Sequence, residues 1–224
     1  MMARLKRAPD ALLALIYPRR AECMGCGSKV GFEREWLCED CRQALANRWI
    51  GAAPPPDGGL IDGAAYAYVY GGPASGLVRS LKYRGVARLA EPMGRQMARA
   101  FEALQPAHID CVVPVPMHVR RARRRGCNHA LLLARAVADR SGLPVIEALA
   151  RTRNTPQQAR LSDAERRHNL DGAFAVTGDM AGRRVLLVDD VCTTGATANA
   201  CAAALLRGGA SAVLLLCFAQ ARKS

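Results

Sequence analysis

Four cysteines near the start of the chain have the spacing of a metal-binding cluster. They form two Cys-x-x-Cys pairs, Cys23 with Cys26 and Cys38 with Cys41, and eleven residues separate the pairs. Each pair can place two thiolates on one tetrahedral ion, and four sulfur ligands leave no open coordination position. Two disulfides and a redox-active Cys-x-x-Cys are the alternatives, but the first suits an oxidising compartment and the second needs no second pair. The spacing therefore favours one structural Zn²⁺.

A second segment whose residues could bind a ligand is an acidic and threonine-rich string that follows an apolar run. The run from Val185 to Val188 predicts a buried strand, and Asp189 and Asp190 come directly after it. The loop from Thr193 to Thr197 then leads into a predicted helix, whose N-terminal N–H groups and dipole favour a phosphate. Carboxylates for sugar hydroxyls beside such a loop predict a ribose 5-phosphate site. The alternative is that the two aspartates only cap a turn.

The elements that must position these residues alternate between strands and helices. Strands are predicted at about residues 64–70, 109–115, 144–146, 184–188 and 212–218, and helices at about 71–83, 89–104, 128–138 and 196–207. Such an alternation predicts an α/β protein with a parallel sheet and right-handed crossovers. In a sheet of this kind the ligand lies at the carboxyl ends of the strands, which is where the acidic string begins.

Composition divides the chain into two unequal parts. Residues 1–50 hold a predicted N-terminal helix and the four cysteines, whereas residues 60–224 hold the predicted α/β domain. Residues 51–59 are rich in proline and glycine, which predicts a linker between the two parts. The polar stretch 151–171 has no lasting periodicity and is expected to leave the core.

Charge and hydrophobicity limit the classes of function. Lys and Arg number 32 against 19 Asp and Glu, a net charge of +13, and 50% of the residues are hydrophobic. The hydrophobic content excludes wholesale disorder, and no apolar run is long enough to span a bilayer. The first twenty residues imitate a secretory signal but lack a cleavage site, so we expect a cytoplasmic protein without membrane insertion. The excess arginine suits a phosphate-rich partner, or reflects a genome biased toward arginine and alanine.

Together these motifs resemble those of a known family. The string from Val185 to Thr197 resembles the phosphoribosyl-pyrophosphate (PRPP) motif of type I phosphoribosyltransferases, and the whole chain resembles the ComF family (ComFC/GntX-like). Further matching segments are Leu81–Gly85, Val113–Pro116, Arg124–Gly126, Thr155–Leu161 and Arg166–Asn169. The chain departs from the family pattern at Cys127 and His129, where Phe and Gln are expected. This departure bears on the pocket lining near the acceptor.

The resemblance implies a fold and a set of site residues. The fold is the α/β type I phosphoribosyltransferase fold, a parallel sheet flanked by helices with a flexible hood at about residues 151–175, plus a small zinc-ribbon-like module with four cysteine ligands. Asp189 and Asp190 are the implied catalytic residues, which hold the ribose hydroxyls with Mg²⁺ nearby. The implied PRPP-binding residues also include Val191, Thr193, Thr194, Gly195, Ala196 and Thr197. The implied pyrophosphate-binding residues are Lys82, Met117, His118, Arg120, Arg121 and Arg124.

The resemblance also implies an activity and partners. The chain is expected to transfer phosphoribose from PRPP to an unidentified acceptor, such as a nucleobase, in connection with DNA uptake, natural competence or DNA utilisation. The alternative is a non-catalytic competence protein that senses PRPP and binds single-stranded DNA. For the arginine run that ends at Arg125, the alternative to pyrophosphate binding is a solvated or nucleic-acid-facing loop. DNA-uptake proteins as partners and a homodimer stay open.

Overall fold

The computed structural model describes residues 22–30, 36–83, 87–117, 126–152 and 172–221. The strands are β1 (Trp49–Ala53), β2 (Gly63–Val69), β3 (Cys111–Pro114), β4 (Leu149–Arg151), β5 (Phe174–Val176), β6 (Arg184–Cys192) and β7 (Ala212–Gln220). The helices are α1 (Glu39–Ala46), α2 (Gly72–Tyr83), α3 (Ala90–Leu104), α4 (His129–Ser141) and α5 (Ala196–Arg207), and a short 3₁₀ helix (Ala87–Leu89) precedes α3. The predicted N-terminal helix lies outside the described residues.

Five strands form the main sheet in the order β1-β2-β7-β6-β3. Strands β2, β7, β6 and β3 are parallel, and β1 joins the edge antiparallel to β2. Residues around Val145 add one parallel bridge outside β3, at the place where a short strand is predicted. Because four strands are parallel, their carboxyl ends meet at one edge, as the sequence predicts.

Helices cover both faces of this sheet, which explains why β7 is apolar along almost its whole length. Leu214, Leu216 and Phe218 belong to a core with α2, α3 and α4. On the other face, Leu215 and Cys217 belong to a second core with α5. Successive residues of β7 therefore pack into the cores on opposite faces of the sheet.

Three features of the sheet differ from the sequence prediction. Strand β1 includes residues 51–53, at the start of the segment predicted to be a linker. Strand β6 continues through Asp189 and Asp190 to Cys192, because β7 pairs with it as far as Gln220. The acidic residues thus lie inside the strand rather than after it. The short strands β4 and β5 pair with each other, so the chain on either side of residues 153–171 is held together.

The cysteine-bearing segment packs against α2 through a glycine. A Cβ atom added to Gly76 would lie 1.9 Å from the carbonyl oxygen of Gly25, so only glycine allows this approach. Four residues further along α2, the Ser80 hydroxyl donates to the Met24 carbonyl oxygen over 3.3 Å. These contacts fix the cysteine segment on the same helix that carries Lys82.

Among the helices of the described ranges, none is long and apolar enough to cross a membrane.

We expect Gly76→Ala to destabilise the protein by about 1–3 kcal/mol, because the new methyl group must displace the backbone at Gly25. Gly178→Ala is the matched control, since a Cβ there has no neighbour within 4 Å. Urea unfolding of both variants measures the effect. Equal free energies of unfolding for the two would show that the cysteine segment does not press on α2 in solution.

Candidate functional site

The four cysteines of the sequence motif converge on one point. Their Sγ atoms all lie within 4.8 Å of one another. The Sγ atoms of Cys26 and Cys38 are 3.8 Å apart, which is close to the ~3.8 Å edge of a tetrahedron with Zn–S bonds of ~2.3 Å. The backbone N–H of Cys38 donates to Cys23 Sγ over 3.3 Å, a contact that favours the thiolate form. The cluster therefore fits a soft tetrahedral cation.

The environment of the cysteines differs from one thiol to the next. Cys26 is exposed, and the hydroxyl and backbone of Ser28 lower its pKa to about 6. Burial raises the pKa of Cys41, with the other thiols of the cluster adding to the effect. A bound cation would remove this repulsion among the sulfur atoms, because it favours the charged form of each.

The second predicted site centres on an ion pair between distant parts of the chain. Lys82 Nζ, in the last turn of α2, lies 2.8 Å from Asp190 Oδ1 on β6. The Asp190 side chain is only 9% exposed and that of Lys82 is 22% exposed. A carboxylate at this depth needs a charged partner, and removal of either group would leave an uncompensated charge. The structure thus joins two motifs that the sequence separates by more than a hundred residues.

Asp189 occupies a different environment from its neighbour. Its Oδ1 accepts a hydrogen bond from the backbone N–H of Asp190 over 2.8 Å. Burial and the charge of Asp190 raise the pKa of Asp189 to about 7, against the opposing influence of Lys82. Because successive residues of a strand face opposite ways, Asp190 meets α2 while Asp189 lines the cavity at the start of α5.

This cavity, which we call the loop cavity, is formed by the end of β6 and the turn into α5. Its volume is about 30 Å³, and its lining comprises Asp189, Val191, Cys192, residues 193–198 and Cys217. Gly195, at φ 76°, occupies the N-cap position of α5. The first N–H groups of a helix lack intrahelical partners, so the helix end can bind an anion. All the residues predicted for the PRPP motif except Asp190 therefore meet at one cavity.

The segment predicted to be a linker, residues 51–59, packs on the loop from Thr193 to Thr197, a contact that sequence reasoning missed. A Cβ atom added to Gly195 would lie 2.2 Å from Cβ of Pro56, which shows how closely the Pro56 side chain packs on the backbone of the loop. Asn199 Nδ2 also donates to the carbonyl oxygen of Asp57 over 2.7 Å. Nothing in a proline- and glycine-rich composition indicates which surface the segment covers.

The predicted pyrophosphate-binding residues are only partly described. Met117 is partly buried just beyond β3, whereas His118, Arg120, Arg121 and Arg124 lie outside the described residues. Lys82 forms the ion pair with Asp190. The hood residues 153–171, with Gln157, Arg166 and Asn169, also lie outside the described residues.

Helix α4 begins where the sequence predicts a helix cap, at Asn128. Asn128 Oδ1 accepts from the N–H of Ala130 over 3.2 Å, and its Nδ2 donates to the carbonyl oxygen of Val115 over 3.1 Å. This cap ties the end of β3 to α4. His129 is the buried first residue of α4, since the helix starts as soon as its cap is made.

Comparison with known proteins agrees with this architecture. The model of the phosphoribosyl transferase domain family matches residues 85–224. This match, with the parallel sheet and the cysteine cluster, confirms the fold class predicted from the sequence. Among solved structures, a glutamine PRPP amidotransferase from B. subtilis has a TM-score of 0.39 and 22% identity, covering 56% of this chain and 25% of that chain.

Two curated relatives extend the similarity toward the N-terminus. The DNA utilization protein YhgH of Escherichia coli strain K12 is 36% identical over 174 residues, which cover 75% of this chain and 74% of that protein. The competence protein ComFC of Bacillus subtilis strain 168 is 26% identical over 206 residues, which cover 89% of this chain and 84% of that protein.

We expect Asp189→Asn to change how the free energy of unfolding depends on pH. The pKa of Asp189 is about 7 in the folded protein against an ordinary value of 3.8, so the folded state binds more protons between these values. Its contribution to stability is therefore greatest at low pH and is lost as the pH rises through this window. Since asparagine does not titrate, the wild type should lose stability relative to Asp189→Asn between about pH 5 and about pH 8.

Urea unfolding at the two pH values measures this difference. Asp139→Asn, at an exposed position on α4, is the control for the loss of one negative charge. If the difference between the wild type and Asp189→Asn is the same at both pH values, Asp189 is not the titrating group described here.

Proposed function

The chain belongs to the ComF family of phosphoribosyl transferase domain proteins, and on that premise we propose that it binds Mg²⁺-PRPP and transfers phosphoribose from it to a nitrogen acceptor. The observation that supports this proposal best is the meeting of Lys82, Asp190 and Asp189 at the edge of the sheet, beside the loop cavity. Two carboxylates, a cation and a helix N-terminus are the groups that a sugar, a pyrophosphate and a terminal phosphate require.

In this proposal the loop from Thr193 to Thr197 binds the 5-phosphate of PRPP. Gly195 allows the left-handed turn that leads into α5, and the threonine hydroxyls can donate to oxygens of the phosphate. The two aspartates then accept hydrogen bonds from the ribose hydroxyls. Mg²⁺ bound with the substrate would be held by carboxylate and phosphate oxygens and would supply positive charge to the pyrophosphate.

The reaction breaks the bond between C1 of the ribose and the pyrophosphate oxygen while a bond from the acceptor nitrogen to C1 forms. Positive charge develops on the ribose ring as the leaving group departs, and the carboxylates of Asp189 and Asp190 favour that charge. Lys82 keeps its pair with Asp190 and adds positive charge at the edge of the sheet, which favours the pyrophosphate. By family resemblance Met117, His118, Arg120, Arg121 and Arg124 bind the same group, and residues 151–175 form the hood.

The raised pKa of Asp189 fits this role. A carboxyl group that titrates near pH 7 changes its charge when a cation arrives, so Mg²⁺ bound with PRPP would convert it to the carboxylate. The free site can then avoid the repulsion of two adjacent negative charges before the substrate binds. The relatives are named for DNA utilization and competence, so we propose that the acceptor is a base or related compound released from external DNA.

The four-cysteine cluster holds Zn²⁺ in this proposal and has a structural role. Four sulfur ligands fill the tetrahedron, so no position is left for a substrate. The ion would hold the Met24–Gly25 turn against α2, the helix that ends at Lys82 and Tyr83. Metal binding therefore stabilises both the small cysteine segment and its contact with the domain.

We expect Asp190→Asn to weaken Mg²⁺-PRPP binding or turnover at least about tenfold, which corresponds to ~1.4 kcal/mol. The substitution keeps the shape of the side chain but removes the negative charge that faces Lys82 and the sugar. Calorimetry measures binding, and pyrophosphate release with a panel of nucleobases measures turnover. Asp179→Asn, at an exposed position outside the loop cavity, is the control.

Unchanged binding by Asp190→Asn would mean that the acidic pair is structural. Tight binding by the wild type without pyrophosphate release for any base would instead favour the PRPP sensor over the transferase.

We expect Cys38→Ser to abolish stoichiometric zinc. The wild-type protein purified without chelators should carry one zinc per chain, and the variant should lose it and melt in its N-terminal part. Elemental analysis and thermal unfolding measure the two effects. Cys127→Ser, outside the cluster, is the control and should retain zinc. Wild-type protein without zinc would contradict the assignment.

A further inference from the structure

A large pocket, separate from the loop cavity, lies where the cysteine-bearing segment meets the main sheet. Its volume is about 590 Å³, in the range of pockets that enclose a small organic ligand. The lining is mainly apolar and comes from α1, α2, the sheet and α3, with Trp36, Leu45, Trp49, Tyr68, Met93 and Arg99 as principal members. We call it the tryptophan pocket.

Both tryptophans of the chain line this one pocket, and each carries an arginine over its ring. The guanidinium carbon of Arg88 lies 4.6 Å from the centre of the Trp36 ring, and that of Arg99 lies 4.9 Å from the centre of the Trp49 ring. In a protein with only 5% aromatic residues, this concentration is unusual. Flat apolar surfaces and guanidinium groups therefore occur together at one place.

The aromatic wall continues from Trp49 into the core. The rings of Trp49 and Tyr68 meet edge to face with centroids 5.7 Å apart, and Tyr68 meets Phe218 in the same way at 5.3 Å. Such contacts fix the orientation of the Trp49 ring. A pre-formed aromatic wall loses little entropy when a planar ligand packs against it.

The charge of the lining selects among planar ligands. Arg42 and Arg99 line the pocket, and none of the described residues in the lining is acidic, although Glu39 pairs with Arg42 from outside it. Gln96 adds an amide that can both donate and accept hydrogen bonds. Apolar rings suit an aromatic base, guanidinium groups suit a phosphate, and the amide suits the polar edge of a base.

We propose that the tryptophan pocket binds an unpaired nucleobase together with its adjoining phosphate. The ligand can come from two sources that share this chemistry, a free nucleotide or one unit of a single-stranded nucleic acid. In either case the base packs against the tryptophan wall, and Arg99 is placed to contact the phosphate.

This pocket is distinct from the proposed PRPP site. Cys217 lines the loop cavity and the next residue, Phe218, lines the tryptophan pocket, so the two lie on opposite faces of β7. Helix α2 contributes to both, through Leu77 to the pocket and through Lys82 to the ion pair. The proposal does not depend on the transferase activity.

Intrinsic tryptophan fluorescence tests the proposal directly, since both fluorophores lie in the pocket. The full-length protein is titrated at low salt with a short oligodeoxyadenylate, with an abasic strand of equal length and with deoxyadenosine monophosphate. We expect saturable quenching by the oligodeoxyadenylate and at least about fivefold weaker binding of the abasic strand, since base stacking on an aromatic ring contributes on that scale. Saturating Mg²⁺-PRPP should leave the quenching unchanged.

Matched charge variants locate the binding. Arg99→Gln should weaken binding of the oligodeoxyadenylate several-fold, whereas Arg207→Gln, an exposed arginine at the end of α5, should bind as the wild type does. Comparable binding of deoxyadenosine monophosphate would identify a free nucleotide as the ligand, and binding that needs the strand would identify single-stranded nucleic acid. Absence of quenching, equal binding of the abasic strand, equal effects of the two arginine variants, or displacement by PRPP would each overturn the proposal.

Discussion

A buried carboxylate needs a partner, and this requirement organises the candidate site. Asp190 is carried into the interior by β6, and Lys82 at the end of α2 supplies the opposite charge 2.8 Å away. The pair fixes the last turn of α2 against the edge of the sheet, because separating the two charges at that depth would cost several kcal/mol. The pair therefore links the last turn of α2 to the acidic motif on β6.

Helix α2 transmits this constraint to the rest of the molecule. Near its middle, Gly76 accepts the backbone of the cysteine segment, and Leu77 lines the tryptophan pocket. A cation in the cysteine cluster would therefore act on the site indirectly, by holding the segment that packs on this helix. The arrangement gives a physical reason for a small four-cysteine segment to precede a phosphoribosyl transferase domain.

The parts that the sequence could predict are those set by local rules. The two Cys-x-x-Cys pairs predict a cluster because their spacing alone brings sulfur atoms together, and Asn128 predicts the start of α4 because a cap acts within a few residues. The apolar runs likewise predict the parallel strands. Strands β4 and β5, of three residues each, have too little pattern to be found, and β1 lies partly within a proline- and glycine-rich composition.

The parts that escaped prediction depend on contacts between distant segments. The ion pair of Lys82 with Asp190, the approach of Pro56 to Gly195 and the meeting of the two tryptophans all follow from how helices and loops pack on the sheet. A crystal structure of the protein with Mg²⁺ and PRPP tests the central claim most directly. The account predicts the 5-phosphate in the loop cavity with the ribose hydroxyls at Asp189 and Asp190. PRPP bound elsewhere, with the Lys82–Asp190 pair and the loop cavity empty of ligand, would contradict it.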